Sequence, residues 1–255
     1  MIIFNRKMLF KPRNRQVPIL NFRGKNITDI AQFNDRNVSI SWTGNKTLVK
    51  DGVNTVPESS GRFTYNFSDW EEFAMCYTFE LLSRNTWRAI LNLGHTSSNA
   101  TYGLKMEHNN ANYMHFQGIS NNHNAIIVID SPSTPSFAVE LNKKYNVIIN
   151  VSRTNPVGIY LDGQQIFSLT QPESKKGFNG NNHLNCNSNA FNERLSNRVK
   201  DINSVQHSLR IWNRALTPEE IKAESKADAI DYGVVLMNRR AVINKFKINE
   251  MKVGD

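Results

Sequence analysis

Residues 204–225 read S-V-Q-H-S-L-R-I-W-N-R-A-L-T-P-E-E-I-K-A-E-S, and this stretch decides the fold. From residue 205 to residue 212, apolar and polar side chains alternate, which is the period of a β-strand with one buried face. We expect that apolar face to carry Val205, His207, Leu209 and Ile211. The residues expected on the opposite face are Gln206, Ser208, Arg210 and Trp212.

A helix start follows this strand. The order Thr217, Pro218, Glu220 predicts a capping box, in which the threonine hydroxyl accepts from the glutamate amide and the glutamate carboxylate accepts from the threonine amide. Pro218 occupies the first helical position, where its missing N–H costs no hydrogen bond. Leu216 and Ile221 flank the box as a hydrophobic staple. The stretch therefore predicts a strand fixed to a helix of one or two turns.

Two motifs carry a resemblance to a known family. L-R-I-W-N-R-A-L-T-P-E-E-I-K-A resembles the closing strand and helix of laminin-G-like domains of the concanavalin A-like jelly-roll superfamily. The stretch from Tyr145 to Phe167 resembles that family's central hairpin, with its second strand ending in Tyr-x-Asp-Gly. The resemblance extends from Gly61 to Asp231 and implies a fold. Because the family includes carbohydrate binders, adhesion modules and hydrolases, the function must come from individual sites.

The rest of the chain shows short strand patterns about 10 residues apart, separated by turn signals, as in an antiparallel sandwich. Strands are predicted at 38–42, 46–50, 62–67, 75–82, 87–93, 102–107, 113–117, 125–129, 145–152, 157–161 and 165–169. The first two are predicted to form a hairpin, and Asp51-Gly52 and Asp162-Gly163 are predicted turns. We expect an all-β, antiparallel two-sheet jelly-roll sandwich with one short capped helix near the C-terminus and extended terminal arms.

The net charge of +9 lies in the two ends of the chain. Residues 1–28 hold seven basic and no acidic side chains, residues 238–255 hold five basic and two acidic ones, and residues 29–237 have a net charge of −1. We therefore divide the chain into a basic N-terminal arm (1–28), a sandwich (29–232) and a basic C-terminal extension (233–255). Basic arms on a neutral domain suggest that the ends contact a negative partner. The residues assigned to the assembly arm are Arg6, Lys7, Lys11, Arg13 and Arg15.

The first 23 residues mix apolar and basic side chains, and Pro12 and Pro18 exclude one continuous helix. Two structures fit this pattern: an arm that packs on a neighbouring molecule, or an edge strand of the chain's own sandwich. Charges interrupt the N-terminus before a signal-peptide core forms, and no run of about 18 apolar residues is present. The expectation is a chain made without an export signal and without a membrane span, located in a virion or otherwise in the cytoplasm.

Catalytic and metal patterns are weak. Laminarinase-type hydrolases of the family carry Glu-x-Asp-x-x-Glu on one strand face, because a retaining mechanism needs two carboxyl groups about 5–5.5 Å apart. The nearest cluster here, residues 69–72 (D-W-E-E), is interpreted as a solvated loop. Cys76 in a strand and Cys186 in a polar loop are expected to be free thiols. We predict no enzyme activity and no cofactor, with Asp130 and Asp162 as the candidates if calcium is bound.

Loops rich in asparagine and histidine are the best candidates for ligand binding, because amides and imidazoles suit sugar hydroxyls. We expect several of these residues to converge at one end of the sandwich. The candidates are His95, Asn99, Asn121, His123, Asn181, Asn182 and His183.

These patterns favour a non-catalytic binding module with a glycan- or protein-binding face, held by its arms in a larger assembly. A phage virion protein that decorates a capsid or belongs to a tail is the leading interpretation, with protein partners at both arms and a cell-surface glycan as a further partner. No specific nucleic-acid motif is present. A free carbohydrate-binding lectin and a divergent glycoside hydrolase are the alternatives.

Overall fold

The computed structural model consists of two antiparallel β-sheets and one α-helix. It describes residues 17–26, 39–43, 46–55, 60–64, 72–83, 88–93, 102–108, 113–120, 136–152, 154, 156–169, 183–186 and 203–237. The strands are β1 (Leu20–Arg23), β2 (Ser39–Thr43), β3 (Lys46–Val49), β4 (Gly52–Thr55), β5 (Ser60–Thr64), β6 (Phe73–Leu81), β7 (Arg88–Leu93), β8 (Tyr102–His108), β9 (Tyr113–Ser120), β10 (Ser136–Ala138), β11 (Lys144–Val151), β12 (Val157–Leu161), β13 (Gln164–Leu169), β14 (His183–Cys186) and β15 (Ser204–Trp212). The helix is α1 (Pro218–Tyr232).

The strands form two layers, which we call sheet I and sheet II. Sheet I has the order β13-β12-β11-β6-β15-β4-β3, and β1 also pairs with β15 in this eight-stranded sheet. Sheet II has seven strands in the order β10-β9-β8-β7-β14-β5-β2. The all-β jelly-roll sandwich with one helix near the C-terminus is confirmed.

The hydrophobic core lies between the sheets. In β6 every second residue, from Phe73 through Tyr77 to Leu81, belongs to the core, together with Met106 and Phe116 of sheet II. The alternate residues of β6 face α1, because successive side chains of a strand point to opposite sides. A smaller apolar cluster forms there, and its members are Ala74, Cys76, Ile148, Trp212, Leu216 and Ile221.

The central hairpin is confirmed, and the predicted hairpin before it is wrong. Strands β11, β12 and β13 pair in sequence, and the last two are joined by Asp162 and Gly163, which have φ values of 48° and 83°. In contrast, β2 pairs with β5 in sheet II, whereas β3 pairs with β4 in sheet I. Residues 44–45 therefore connect a strand of sheet II to a strand of sheet I. Turn propensity alone does not distinguish such a connection from a hairpin.

Strand β15 is buried along its whole length and contains a bulge. Its register against β6 shifts between Gln206 and Ser208, so His207 is an extra residue that reverses the alternation of faces. Leu209 lies in the core, but Val205 lies outside the core cluster. The predicted apolar face is therefore correct only for the second half of the strand.

The capping box is confirmed in detail. Thr217 accepts from the Glu220 amide at 3.3 Å, and Glu220 accepts from the Thr217 amide at 2.9 Å. Arg214 adds two 2.7 Å hydrogen bonds to the Glu220 carboxylate. The helix has 15 residues rather than one or two turns, and it ends where Gly233 takes a φ of 76°. Tertiary packing of its inner face on sheet I explains the extra length.

Strand β1 lies within the predicted N-terminal arm (1–28), but it belongs to sheet I. Leu20 and Phe22 are 1% and 2% exposed and lie in the core, and β1 pairs with β15 of the same domain. At Gly24 a Cβ atom would lie 2.7 Å from backbone atoms of Asp51, Gly52 and His207, so glycine allows this close crossing. Of the two alternatives for the first 23 residues, the strand is therefore correct for residues 20–23, and residues 1–16 lie outside the described part of the chain.

Candidate functional site

Several strands of sheet II begin or end at the same end of the sandwich. His183 at the start of β14 pairs with Thr64 at the end of β5, and the next residue of β14 pairs with Leu93 at the end of β7. Tyr102 at the start of β8 pairs with Ser120 at the end of β9. Strands β7 and β8 are antiparallel neighbours, so the end of β7 at Leu93 lies beside the start of β8. The five positions named above therefore lie at one end of sheet II, which we call the loop end.

The segments that carry the predicted ligand residues are attached to this loop end. Residues 94–101 run from β7 to β8, residues 121–135 follow β9, and residues 170–182 precede β14. His183 is the first residue of β14. The other candidates (His95, Asn99, Asn121, His123, Asn181 and Asn182) lie outside the described residues, so their convergence stays a prediction. The chain segments that carry these candidates are attached to the same end of sheet II.

In sheet I, residues next to the start of β6 and the end of β11 are hydrogen-bonded to each other. Residues 65–71 lead from Thr64 of sheet II to Glu72, which precedes β6. Ser152, directly after β11, donates to the Glu72 carboxylate at 3.1 Å and lies 3.4 Å from the Thr154 hydroxyl. Asp69, Trp70 and Glu71 of the acidic cluster lie outside the described residues. Glu72, the described residue of that cluster, therefore takes part in a hydrogen bond between the start of β6 and the end of β11.

A buried ionic cluster lies between α1 and sheet I. Arg210 of β15 is fully buried, and its guanidinium lies 2.7 Å from the Asp228 carboxylate and 3.0 Å from that of Glu224. Asp228 also accepts hydrogen bonds from Thr78, Ser208 and Asn146. Burial tends to raise the pKa of Asp228, but Arg210 and these hydrogen bonds outweigh it and hold the pKa below its usual value.

Sequence reasoning missed this cluster, although a signal for it exists. The buried residues of α1 are Ile221, Glu224, Ser225, Asp228 and Tyr232, which recur at helical spacing and form one face. Two of the five are acidic, and the facing strand β15 places Arg210 on the same side. A helix face with buried carboxylates opposite a strand arginine indicates an internal ion pair. The pairing itself requires knowledge of which strand lies beneath the helix.

Cys76 belongs to the same cluster and is not suited to nucleophilic chemistry. Its sulfur accepts from Arg210 Nη2 at 3.0 Å and from Asn146 Nδ2 at 3.3 Å. Burial raises the pKa of the thiol to about 12, so it stays protonated at neutral pH. Cys76 is a free cysteine, as predicted. Cys186, predicted in a loop, is the last residue of β14.

Acidic residues of α1 form ion pairs with basic residues at and just after the end of β1. Lys25 donates to the Asp231 carboxylate, and Arg23 lies 3.6 Å from Asp231 and 3.7 Å from Glu224. These ion pairs connect the N-terminal strand to the C-terminal helix. Arg23 and Lys25, counted as charges of a basic arm, therefore contact acidic residues of their own domain.

The calcium candidates are not brought together by described contacts. Asp162 is 3% exposed, and its carboxylate accepts from the Asn146 amide at 2.8 Å, so it stabilises the turn between β12 and β13. Asp130 lies outside the described residues. Within the described ranges, no three His, Cys, Asp or Glu side chains are grouped so that they could hold a metal ion. Within the same ranges, no helix is long and apolar enough to cross a membrane.

Acidification is expected to destabilise the fold through His207. Its side chain is 1% exposed, and Nδ1 lies 2.7 Å from the Asp51 carbonyl oxygen, so in the neutral ring Nδ1 carries the proton. Burial lowers the pKa of His207, and the positive charge of Lys144 lowers it further. The contacts with Asp51 and Glu80 raise the pKa, but by less than these two effects lower it. The unfolded chain therefore takes up a proton near pH 6.5 before the native state does, and the free energy of unfolding falls below that pH.

Urea unfolding from about pH 7.5 to about pH 5.5 measures this effect, in a range where carboxylates stay ionised. The variant His207→Asn keeps a donor for Asp51 and is expected to lose less stability over this range than the natural chain. Parallel pH profiles of the two proteins would contradict the assignment.

The comparison with known proteins agrees with the fold. Residues 71–222 match the laminin G family model described as the concanavalin A-like lectin/glucanases superfamily. No curated protein sequence matches the chain significantly.

Similar solved structures include receptor-binding domains of botulinum neurotoxins. A structure of type C, described in relation to its interaction with two ganglioside molecules, has 16% identity and a TM-score of 0.55, with coverage of 83% of this chain and 51% of the other. The binding domain of type DC with rat synaptotagmin II has 15% identity and a TM-score of 0.53, covering 82% and 51%. The same domain with SialylT has 15% identity and a TM-score of 0.52, covering 83% and 52%. This chain thus spans about half the length of those structures, and identities this low establish a common fold alone.

Proposed function

The chain belongs to the concanavalin A-like lectin/glucanase superfamily, and from this fold and the loop end we propose that it is a non-catalytic module that binds a glycan. The observation that carries the proposal is the strand register of sheet II, which attaches three segments rich in Asn and His to one end. Amide and imidazole groups donate to and accept from sugar hydroxyls without needing a charged ligand. The same class of ligand is supported by the type C structure, described in relation to its interaction with two ganglioside molecules, and by the type DC domain in complex with SialylT.

A catalytic role has less support in the described residues. The carboxylates of Asp228, Glu224 and Glu220 are held in ion pairs with arginines. The carboxylate of Glu72 accepts from Ser152. These contacts fit structural roles, and the divergent hydrolase is the less favoured alternative. Turnover of a β-glucan that is lost in Glu72→Gln would support that alternative over the proposed function.

Attachment to a larger assembly stays a prediction from charge. Its residues in the N-terminal arm and in the extension after residue 237 lie outside the described part of the chain. The described part of the predicted arm pairs with β15 and with α1 of the same domain. Support for assembly in a virion is therefore weaker than support for glycan binding.

A glycan array with the purified full-length chain, followed by titration calorimetry of the best ligand, tests the proposal. We expect His123→Ala/His183→Ala to bind about tenfold more weakly, because two neutral hydrogen bonds to hydroxyls are each worth about 0.5–1.5 kcal/mol. The control is Gln165→Ala, which removes an exposed polar side chain of β13 and should not change affinity. A folded chain that binds no glycan, or a histidine variant with unchanged affinity, would refute the proposal.

A further inference from the structure

Four segments of the chain meet at His207, the extra residue of the bulge in β15. Its carbonyl oxygen accepts from the amide of Gly24, directly after β1, at 2.6 Å. Its Nδ1 donates to the carbonyl oxygen of Asp51, in the turn between β3 and β4, at 2.7 Å. Its Nε2 lies 3.5 Å from the Glu80 carboxylate of β6, and its ring lies against that of Tyr232, with centroids 5.5 Å apart. We call these five residues the histidine junction.

Tyr232 is the residue through which α1 covers the imidazole. The other members of the histidine junction belong to strands of sheet I or lie directly beside them, so the pairing of those strands holds them in place. Tyr232 is the last residue of α1 and is 2% exposed. Its carbonyl oxygen accepts from Lys144 Nζ at 2.9 Å. Tyr232 is therefore the member of the junction that can move without breaking a strand pairing.

The segment that contains Tyr232 has little apolar burial. Between residues 230 and 237, the buried side chains are those of Tyr232 and Val234. The chain returns to sheet I where the Met237 amide donates to the Asp162 carbonyl oxygen at 3.0 Å. Regions with few buried apolar contacts open at a lower free energy than the core does. We therefore expect residues 230–237 to open before the strands of sheet I separate.

The histidine junction suits a neutral imidazole. Because Nδ1 carries the proton that is donated to Asp51, Nε2 of the neutral ring has no proton, and it has no hydrogen-bond partner among the described residues. A second proton puts a positive charge on a side chain that is 1% exposed, near the positive charge of Lys144. Glu80 compensates only part of this cost. Water reaches the charged ring when Tyr232 moves away from it, and repulsion between the ring and Lys144 weakens the hydrogen bond to the Tyr232 carbonyl.

The other charged groups near the histidine junction act on Tyr232. They are Asp228 of α1, Arg210 of β15, and Arg23 and Lys25 at the end of β1. Burial and the charge of Asp228 raise the pKa of Tyr232 to about 12, so its hydroxyl stays neutral in mild acid. Histidine is the residue type whose charge changes between about pH 5 and about pH 8. His207 is therefore the group through which mild acid acts on this junction.

We propose that the histidine junction is a pH-sensitive switch: when His207 takes up a second proton, Tyr232 and residues 233–237 separate from sheet I while the strands stay paired. The opened ring takes up its proton near pH 6.5, so the ratio of open to closed molecules rises by up to about tenfold between about pH 7.5 and about pH 5.5. The chain continues from Met237 into the basic C-terminal extension. The switch thus sets the position from which that extension starts, and it is independent of glycan binding at the loop end.

Hydrogen exchange of the full-length chain at about pH 7.5 and about pH 5.5, corrected for the pH dependence of intrinsic exchange, tests the switch. We expect amides of residues 229–237 to lose about tenfold in protection at the lower pH, whereas amides of β11 and β12 keep theirs. The Gly233 and Met237 amides report directly, because they donate to carbonyl oxygens in the closed state. His207→Asn, which keeps a donor for Asp51, should remove the pH dependence. Tyr232→Leu should leave residues 233–237 equally unprotected at both pH values.

The control is Thr217→Ala, which removes the cap at the other end of α1. It should lower protection at the start of α1 at both pH values and retain the pH dependence of residues 229–237. Unchanged protection of residues 229–237 at the lower pH, or a pH dependence that persists in His207→Asn or in Tyr232→Leu, overturns the inference. An equal loss of protection in β11 and β12 also overturns it, because that result shows unfolding of the whole domain rather than opening at the junction.

Discussion

Asp228→Ala is expected to reduce the free energy of unfolding by about 3–5 kcal/mol, since removing one partner leaves the other charge buried. Asp228 and Arg210 both have side chains with 0% exposure, and their atoms lie 2.7 Å apart. The substitution also removes the acceptor for Thr78, Ser208 and Asn146. Urea unfolding at neutral pH measures the loss.

The control for this variant is Asp231→Ala on the same helix. Asp231 has a 25% exposed side chain and pairs with Lys25 and Arg23 near the surface, so its loss should cost less than about 1 kcal/mol. A similar loss in both variants would mean that the buried cluster is not a distinct source of stability. In that case general helix destabilisation would be the better explanation.

Phe22→Ala is expected to cost about 3–5 kcal/mol of unfolding free energy, because it leaves a cavity in the core. Phe22 is 2% exposed and lies opposite Leu209 in the pairing of β1 with β15. Asn21→Ala, at the exposed position next to it, is the control and should change stability by less than about 0.5 kcal/mol. Chemical denaturation of both variants and of the natural chain gives the comparison.

The same measurement distinguishes a strand of the chain's own domain from an arm shared between molecules. If β1 belongs to its own sandwich, the unfolding midpoint should not depend on protein concentration. A midpoint that rises with concentration would show that a second copy supplies the strand. A loss below about 1 kcal/mol in Phe22→Ala would contradict the packing of β1 in the core.

Local patterns predicted most of the described strands and the helix start, whereas the strand predicted at 125–129 lies outside the described residues. Val157–Leu161 was predicted with the bounds that the structure shows, and the box of Thr217 and Glu220 forms as expected. Both depend on interactions within a few residues of chain. The bulge at His207 was not predictable from alternation, because an extra residue leaves the local sequence strand-like on both sides.

Pairing between distant segments was less predictable. Strand β1 looks like a basic arm because Arg23 and Lys25 follow its apolar residues, and their partner Asp231 is about two hundred residues away in sequence. Strand β14 was predicted as loop, since its residues H-L-N-C are mostly polar. Its neighbours β5 and β7 supply the hydrogen bonds that make it a strand.

The sequence by itself determined the family, the strand periods and the capped connection after Trp212, since each depends on neighbouring residues and short-range hydrogen bonds. Only the tertiary structure decided that Arg210 would be a buried partner of Asp228 rather than a surface charge. It also decided that β1 would complete sheet I, and that β14 would pair with β5 and β7 in sheet II. These outcomes depend on which distant strands become neighbours, and that choice comes from burial of the whole core rather than from any local pattern.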